Sequence, residues 1–156
     1  MDENMQRIVF VCTGNLCRSP MAEYALQNEL ARRGVNDTLV ESAGALAIDG
    51  ASAAGKAVSE MKKHGIDMGP HRARILTGEM IRDADMIVVM EHYHREAVLA
   101  FDPSSANKTI MMGSLLDGES IDEIPDPYGF DEAFFSSTCG LILKAAGALA
   151  DRIAAA

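Results

Sequence analysis

A chain of 156 residues with 48% hydrophobic content can bury one sizeable core and is short for two, so a single domain over 1–156 is expected. The net charge of −9 and the sequence pI near 4.8 exclude the basic face that a nucleic-acid or anionic-membrane partner requires. No apolar run approaches the roughly 20 residues of a membrane helix, the start Met1-Asp2-Glu3-Asn4 is acidic where a signal peptide is basic, and three cysteines make no disulfide framework; the expected setting is reducing and cytoplasmic.

Residues 1–6 form a polar lead-in expected to be flexible. Ile8 to Val11, β-branched and aromatic, reads as a buried strand, and Pro20 to Arg33 as an amphipathic helix on Met21, Ala22, Ala25, Leu26 and Leu30, stopped by Gly34. A second strand covers Thr38 to Glu41, ended by Ser42-Ala43-Gly44, and a small-residue loop runs to Ala53. Ala54 to His64 reads as a helix with Ala57, Val58 and Met61 on one face, and Thr77 caps a short helix through Arg82. Met86 to Met90 is continuously apolar, as a strand covered on both faces should be. A helix from Glu91 to Phe101 and a strand from Thr109 to Met112 follow. Gly113 to Gly129, rich in Gly, Pro, Ser and acid, is too long for an ordinary connection and is a candidate functional loop. The last helix, Asp131 to Ile153, carries Phe134, Thr138, Leu141, Ile142, Ala145, Leu149 and Ile153 at helical spacing, with Cys139 on the same apolar side as core. Strand and helix alternate throughout. The predicted fold is α/β: a doubly wound, four-stranded parallel sheet with helices on both faces and ligands at the carboxyl ends of the strands.

The segment between the first strand and the first helix, Cys12-Thr13-Gly14-Asn15-Leu16-Cys17-Arg18-Ser19, opens onto a helix N-terminus. Ser19 can cap that helix and Pro20 suits its first position. Free N–H groups and the positive end of the helix dipole there suit an anion of about phosphate size. Gly14 and Asn15 tolerate the φ > 0 turns that curl successive N–H groups into a nest. The Arg18 guanidinium can hold two phosphate oxygens at once. Cys12, at the other end of the loop, is placed where the thiolate is favoured; cysteines in such settings fall from about 8.5 to about 3.5–7.5. The sulfur would be a nucleophile aimed at whatever the nest holds. A leaving oxygen then needs a proton, and a water must later be activated; one carboxyl can do both. Asp126, stiffened by Pro125 and Pro127 ahead of Tyr128, is the candidate, with an ordinary Asp-Pro turn as the plain alternative.

The block from Cys12 to Glu23 after a hydrophobic strand, with Asp126-Pro127-Tyr128-Gly129 late in the chain, resembles the low-molecular-weight protein tyrosine phosphatases. The resemblance implies a phosphocysteine intermediate on Cys12, phosphate binding by Arg18 and the loop residues Thr13 to Cys17, and Asp126 as general acid and base. It further implies that Asn15 holds the nest by side-chain hydrogen bonds, that Ser42 and His71 bond to Asn15, and that Ser19 donates to the Cys12 sulfur. The plain readings are a helix cap for Ser19, which is compatible with that role, a strand-end turn for Ser42 and a solvated basic stretch around His71, Arg72 and Arg74. Cys17 is implied as a reversible disulfide partner of Cys12 that protects it from over-oxidation, with a small residue that merely fits the loop as the plain alternative. His92 and His94, two apart on a helix, point in different directions and read as surface residues; neither a metal nor a cofactor is expected.

A nucleophile on a pocket floor favours a long phosphorylated side chain, so phosphotyrosine is the expected substrate, with Leu16 and Tyr128 as walls for its ring. Protein-arginine phosphatases are similar in this loop but resemble a version with threonine at position 16, whose hydroxyl can bind a guanidinium; leucine cannot. Thioredoxin-coupled arsenate reductases share the nest but need two further cysteines close in sequence, and Cys139 stands alone. Ala45-Leu46-Ala47 is similar to bacterial members that act on tyrosine kinases of polysaccharide export, which makes such a kinase a candidate partner. A monomer or weak dimer is expected.

Overall fold

The computed structural model describes residues 5–156; Met1 to Asn4 of the lead-in lie outside them. Gln6, expected in the flexible lead-in, instead opens strand β1 (Gln6–Cys12), because its N–H reaches the Asp37 carbonyl at 3.0 Å and it pairs in register with Thr38. Strands β2 (Thr38–Gly44), β3 (Met86–Val89) and β4 (Thr109–Met111) complete a parallel sheet in the order β2-β1-β3-β4. β2 runs past Glu41, where the sequence predicts its end: Phe10 pairs with Ser42, Val11 with Ala43 and Cys12 with Gly44. Small residues that read as a terminator are small because another segment lies on them.

Side chains of a strand alternate between the faces of the sheet, and β1 shows what each face buries. Ile8 and Phe10 point into a core with Met21 and Leu26 of α1 (Arg18–Arg32) and Ile142 and Leu149 of α5 (Glu132–Ala155). Val9 and Val11 point the other way, toward Ile81 of α3 (Gly78–Asp83) and Val98 of α4 (His92–Phe101). Met61 of α2 (Gly55–Lys62) joins the first core, where its sulfur lies 3.6 Å from the Cys139 thiol. Helices therefore cover both faces of the sheet. After α1 the chain turns at Gly34, at φ 71°, a left-handed conformation that costs glycine little.

Two features of α5 depart from the sequence reading. Phe134, predicted to face the core, stacks instead on Phe130 with ring centroids 4.6 Å apart, and Phe135 is the buried residue. By length and composition this 24-residue helix could cross a membrane, although no apolar run of that length is evident in the sequence. The helix uses its apolarity in the core: Phe135, Cys139, Ile142, Ala145 and Leu149 are all buried among the residues of α1 and α2. Two 3-10 turns, Pro103–Lys108 and Met112–Leu115, were also not anticipated; they are too short to leave a period in the sequence. Because all four strands are parallel, the loops after β1, β2 and β3 emerge at one edge, and the site is built there.

Candidate active site

The loop from Cys12 to Arg18 has its carbonyls tied down on the outside. Cys12 C=O accepts from Ala45 N–H (2.9 Å), Thr13 C=O from Leu46 N–H (2.9 Å), Leu16 C=O from Ala54 N–H (2.9 Å) and Asn15 C=O from the His71 ring (2.9 Å). In a trans peptide the N–H points opposite to the C=O. The next N–H groups, those of Thr13, Gly14, Leu16 and Cys17, are therefore turned to the inner side, where Cys12, Thr13, Gly14, Leu16, Cys17, Arg18, Asp126 and Tyr128 line a cavity of about 280 Å³. A cup of N–H groups at the start of α1 is a seat for an oxyanion.

The curl is held at Asn15, whose φ of 57° is the one positive value outside glycine among the described residues. Gly14 is not in that region, so the expectation that it supplies a left-handed turn is corrected; asparagine does so, because its side chain compensates the strain by bonding locally. Its Nδ2 donates to Ser19 Oγ (2.8 Å) and Ser42 Oγ (2.9 Å), and its Oδ1 accepts from Arg74 N–H (3.0 Å). Ser42 in turn donates to Glu23 (2.5 Å), whose carboxyl burial pushes above its ordinary range. His71 is buried and burial lowers its pKa. Ser19 does not cap α1: Cys17 stands at that position, and Pro20 is the third helical residue, where a missing N–H still costs nothing. Ser19 Oγ lies 2.8 Å from the Cys12 sulfur instead. Asn15 donates to the Ser19 oxygen, and the Ser19 proton has two acceptors in reach, the sulfur at 2.8 Å and the Ala43 carbonyl at 3.4 Å, of which the sulfur is the nearer.

Gly44 is what lets the loop lie so close to β2. A Cβ there would fall 2.6 Å from Thr13 O and 2.8 Å from Asn15 N, both main-chain atoms that cannot step aside without unmaking the curl. Gly44→Ala is expected to destabilise the fold by roughly 1–3 kcal/mol and to weaken competitive inhibition by inorganic phosphate. A thermal melt and an inhibition constant measure the two effects, and an unchanged inhibition constant would mean the loop does not rest on Gly44.

Arg18 is 1% exposed, and a buried guanidinium must be paired. Nη1 donates to Glu91 Oε2 (2.6 Å) and to the Ile124 carbonyl (2.9 Å), while Nη2 lies 3.4 Å from Asp126 Oδ2. Ile124 N–H bonds Met90 C=O at 2.9 Å, which ties the long loop to the end of β3. Asp126 is half exposed at the cavity mouth, and its Oδ1 accepts from Tyr128 N–H at 3.1 Å. Cys17 beside Cys12 has its thiol pushed up to about 12, by burial first and then by the Cys12 and Asp126 charges, so it is a neutral thiol at the pH where Cys12 must act.

Two residues of this edge escaped the sequence reading. Glu91 reads in the sequence only as the start of a helix and His94 as a surface residue, yet Glu91 holds Arg18 and His94 is 0% exposed, with Nε2 2.8 Å from Thr13 Oγ1 and Nδ1 accepting Glu91 N–H at 3.1 Å. Their signal was position: they immediately follow β3, the neighbour of β1, where a doubly wound sheet collects its ligand contacts. His92 does lie at the surface, paired with Asp122 at 2.6 Å. Away from the cavity, Glu60, His64 and Cys139 bring ligand atoms within 4.8 Å of one another, with Lys63 at 3.1 Å already paired to Glu60.

A thiol, a buried guanidinium and a carboxyl converging on an N–H cup at the switch point of a parallel sheet define a cysteine-dependent phosphoric monoester hydrolase. Residues 7–156 match the family profile described as low molecular weight phosphotyrosine protein phosphatase. A low molecular weight protein-tyrosine-phosphatase of Acinetobacter johnsonii is 39% identical over 137 residues, 88% of this chain and 90% of that protein. The solved tyrosine phosphatase AmsI of Erwinia amylovora superposes with a TM-score of 0.86 at 34% identity over 95% of this chain and 93% of that one. The arginine phosphatase YwlE of Geobacillus stearothermophilus gives 0.85 at 30% identity over 95% and 92%. The chain belongs to the low-molecular-weight protein-tyrosine-phosphatase family.

Proposed function

We propose that this chain hydrolyses phosphotyrosine in proteins through a phosphocysteine intermediate. The observation that carries the reading is the convergence of Cys12, Arg18 and Asp126 on one cavity whose floor is the N–H cup. Arg18 and the loop N–H groups bind the phosphoryl oxygens, and the Cys12 thiolate attacks phosphorus. The S–P bond forms as the P–O bond to the phenol breaks, and Asp126 gives its proton to the departing oxygen. Asp126, now a carboxylate, takes a proton from water. That water's oxygen bonds to phosphorus, the S–P bond breaks, and Cys12 leaves as a thiolate steadied by Ser19. Asn15, Ser42 and His71 act only by keeping the cup curled.

Leu16 and Tyr128 both line the cavity and supply apolar surface that suits an aromatic ring better than a guanidinium. Phosphoarginine is the competing reading, favoured by the likeness to solved arginine phosphatases. Arsenate reduction has less support: Cys139 is buried against Met61. We place the enzyme in the cytoplasm as a monomer or weak dimer, and its partner is a phosphotyrosine protein, with a bacterial tyrosine kinase as the first candidate. A paired assay of phosphotyrosine and phosphoarginine peptides tests the reading, with Leu16→Thr alongside. Wild type should prefer phosphotyrosine, and Leu16→Thr should gain toward phosphoarginine by roughly 10-fold, the worth of one hydrogen bond to a charged group. A wild type that prefers phosphoarginine would overturn the substrate assignment.

A further inference from the structure

We propose that His94 is a positioning residue for the phosphoryl group: its Nε2–H pins Thr13, so that the N–H groups opening the cup stay aimed inward. The proposal rests on the phosphatase reading above. His94 sits in the first turn of α4, fully buried, with a partner on each ring nitrogen. Nδ1 accepts the Glu91 N–H, and an accepting ring nitrogen carries no proton; in a neutral ring the proton is therefore on Nε2, which donates to Thr13 Oγ1. The ring is neutral, because burial, followed by the Arg18 charge, lowers its pKa to about 4.

Capping α4 would need only the Nδ1 side of this ring. The second nitrogen reaches 81 residues back in the chain to the first residue after the nucleophile. Thr13 is thereby fixed from two directions, by Leu46 N–H on its carbonyl and by His94 on its side chain. Since each trans peptide is rigid, fixing Thr13 sets the direction of the Thr13 and Gly14 N–H groups. Glu91, at the start of the same helix, fixes Arg18 at 2.6 Å. One turn after β3 thus grips both ends of the cup, Thr13 at its start and Arg18 at its close.

The two functions of the ring can be separated by substitution. In His94→Asn the amide oxygen can stand where Nδ1 stands and keep the cap, but nothing reaches Thr13. In His94→Gln the longer amide N–H can reach Thr13, but the cap is lost. Calorimetric titration with inorganic phosphate and a thermal melt read the two separately. His94→Asn should melt close to wild type and bind phosphate roughly 10-fold more weakly, while His94→Gln should melt lower and bind phosphate within about 3-fold of wild type. Thr13→Val, which leaves α4 untouched, should lose a similar roughly 10-fold, and Thr13→Val with His94→Asn should lose no more than either alone. Phosphate affinity that is unchanged in His94→Asn, equally reduced in the Asn and Gln variants, or additively reduced in the double variant would overturn the positioning role. A wild type that binds no inorganic phosphate would overturn the phosphatase reading itself, and that failure shows before any variant is made.

Discussion

Cys12→Ser is expected to lower kcat on an aryl phosphate by roughly 10⁶-fold, the loss seen when a covalent nucleophile is removed from a preformed site. The oxygen that replaces the sulfur holds its proton at neutral pH, and the cavity provides no base at the floor to remove it. Ser19 Oγ, 2.8 Å from the sulfur, belongs to a hydroxyl that also receives from Asn15, and a hydroxyl is too weak a base to take that proton. Asp126 is at the mouth, beside Arg18 Nη2. The cup, by contrast, is built from main-chain groups whose carbonyls are bonded to Ala45, Leu46, Ala54 and His71, none of which involves the thiol. Inorganic phosphate should therefore still bind to Cys12→Ser with near wild-type affinity. Turnover at wild-type rates would show that no phosphocysteine is formed; loss of phosphate binding along with turnover would show that the sulfur, and not the backbone, organises the cup.

How much of this was legible in the chain depends on whether a residue's role is local. Cys12, Arg18 and the helix that follows lie within one strand-loop-helix unit, so their spacing alone places them. Asp126 is remote, but its two flanking prolines mark it in a stretch that otherwise looks like a long loop. His94 and Glu91 carry no such mark. A histidine five residues after a strand is an ordinary surface residue by composition, and only the order β2-β1-β3-β4 puts the end of β3 beside the end of β1. Gly14 and Ser19 show the opposite failure, in which a local rule was applied where a tertiary contact decides. Intrinsic preference offers the left-handed turn to Gly14 and Asn15 alike and the helix cap to Ser19; the structure gives the turn to Asn15 alone, because Ser19, Ser42 and Arg74 all bond its side chain, and turns Ser19 to the sulfur, as the family resemblance implies. Gly44 was read as the end of a strand when its missing side chain is the space the cup occupies.

Asp126→Asn also separates binding from chemistry, at the proton-transfer steps. Proton transfer by a placed carboxyl contributes about 10²–10⁴ in rate, and kcat on phosphotyrosine should fall by that much. Both steps lose their proton carrier, yet they do so unequally with different leaving groups. With p-nitrophenol, which departs readily without a proton, formation of the phosphocysteine should suffer little while its hydrolysis remains slow, so a burst of phenol followed by a slow steady state is expected. With phosphotyrosine, whose phenol needs the proton, the burst should vanish. Phosphate affinity should hold or improve, because the carboxylate 3.4 Å from Arg18 Nη2 competes with any bound oxyanion for the same guanidinium, and an amide carries no charge. Rapid-mixing kinetics with the two substrates, together with a phosphate inhibition constant, distinguish this from a merely structural role, since a displaced loop would weaken phosphate binding and slow both substrates alike. If Asp126→Asn behaved in that uniform way, the proton carrier would have to be sought among the other acids of the loop, Asp122 and Glu123, which in this structure face His92 and not the cavity.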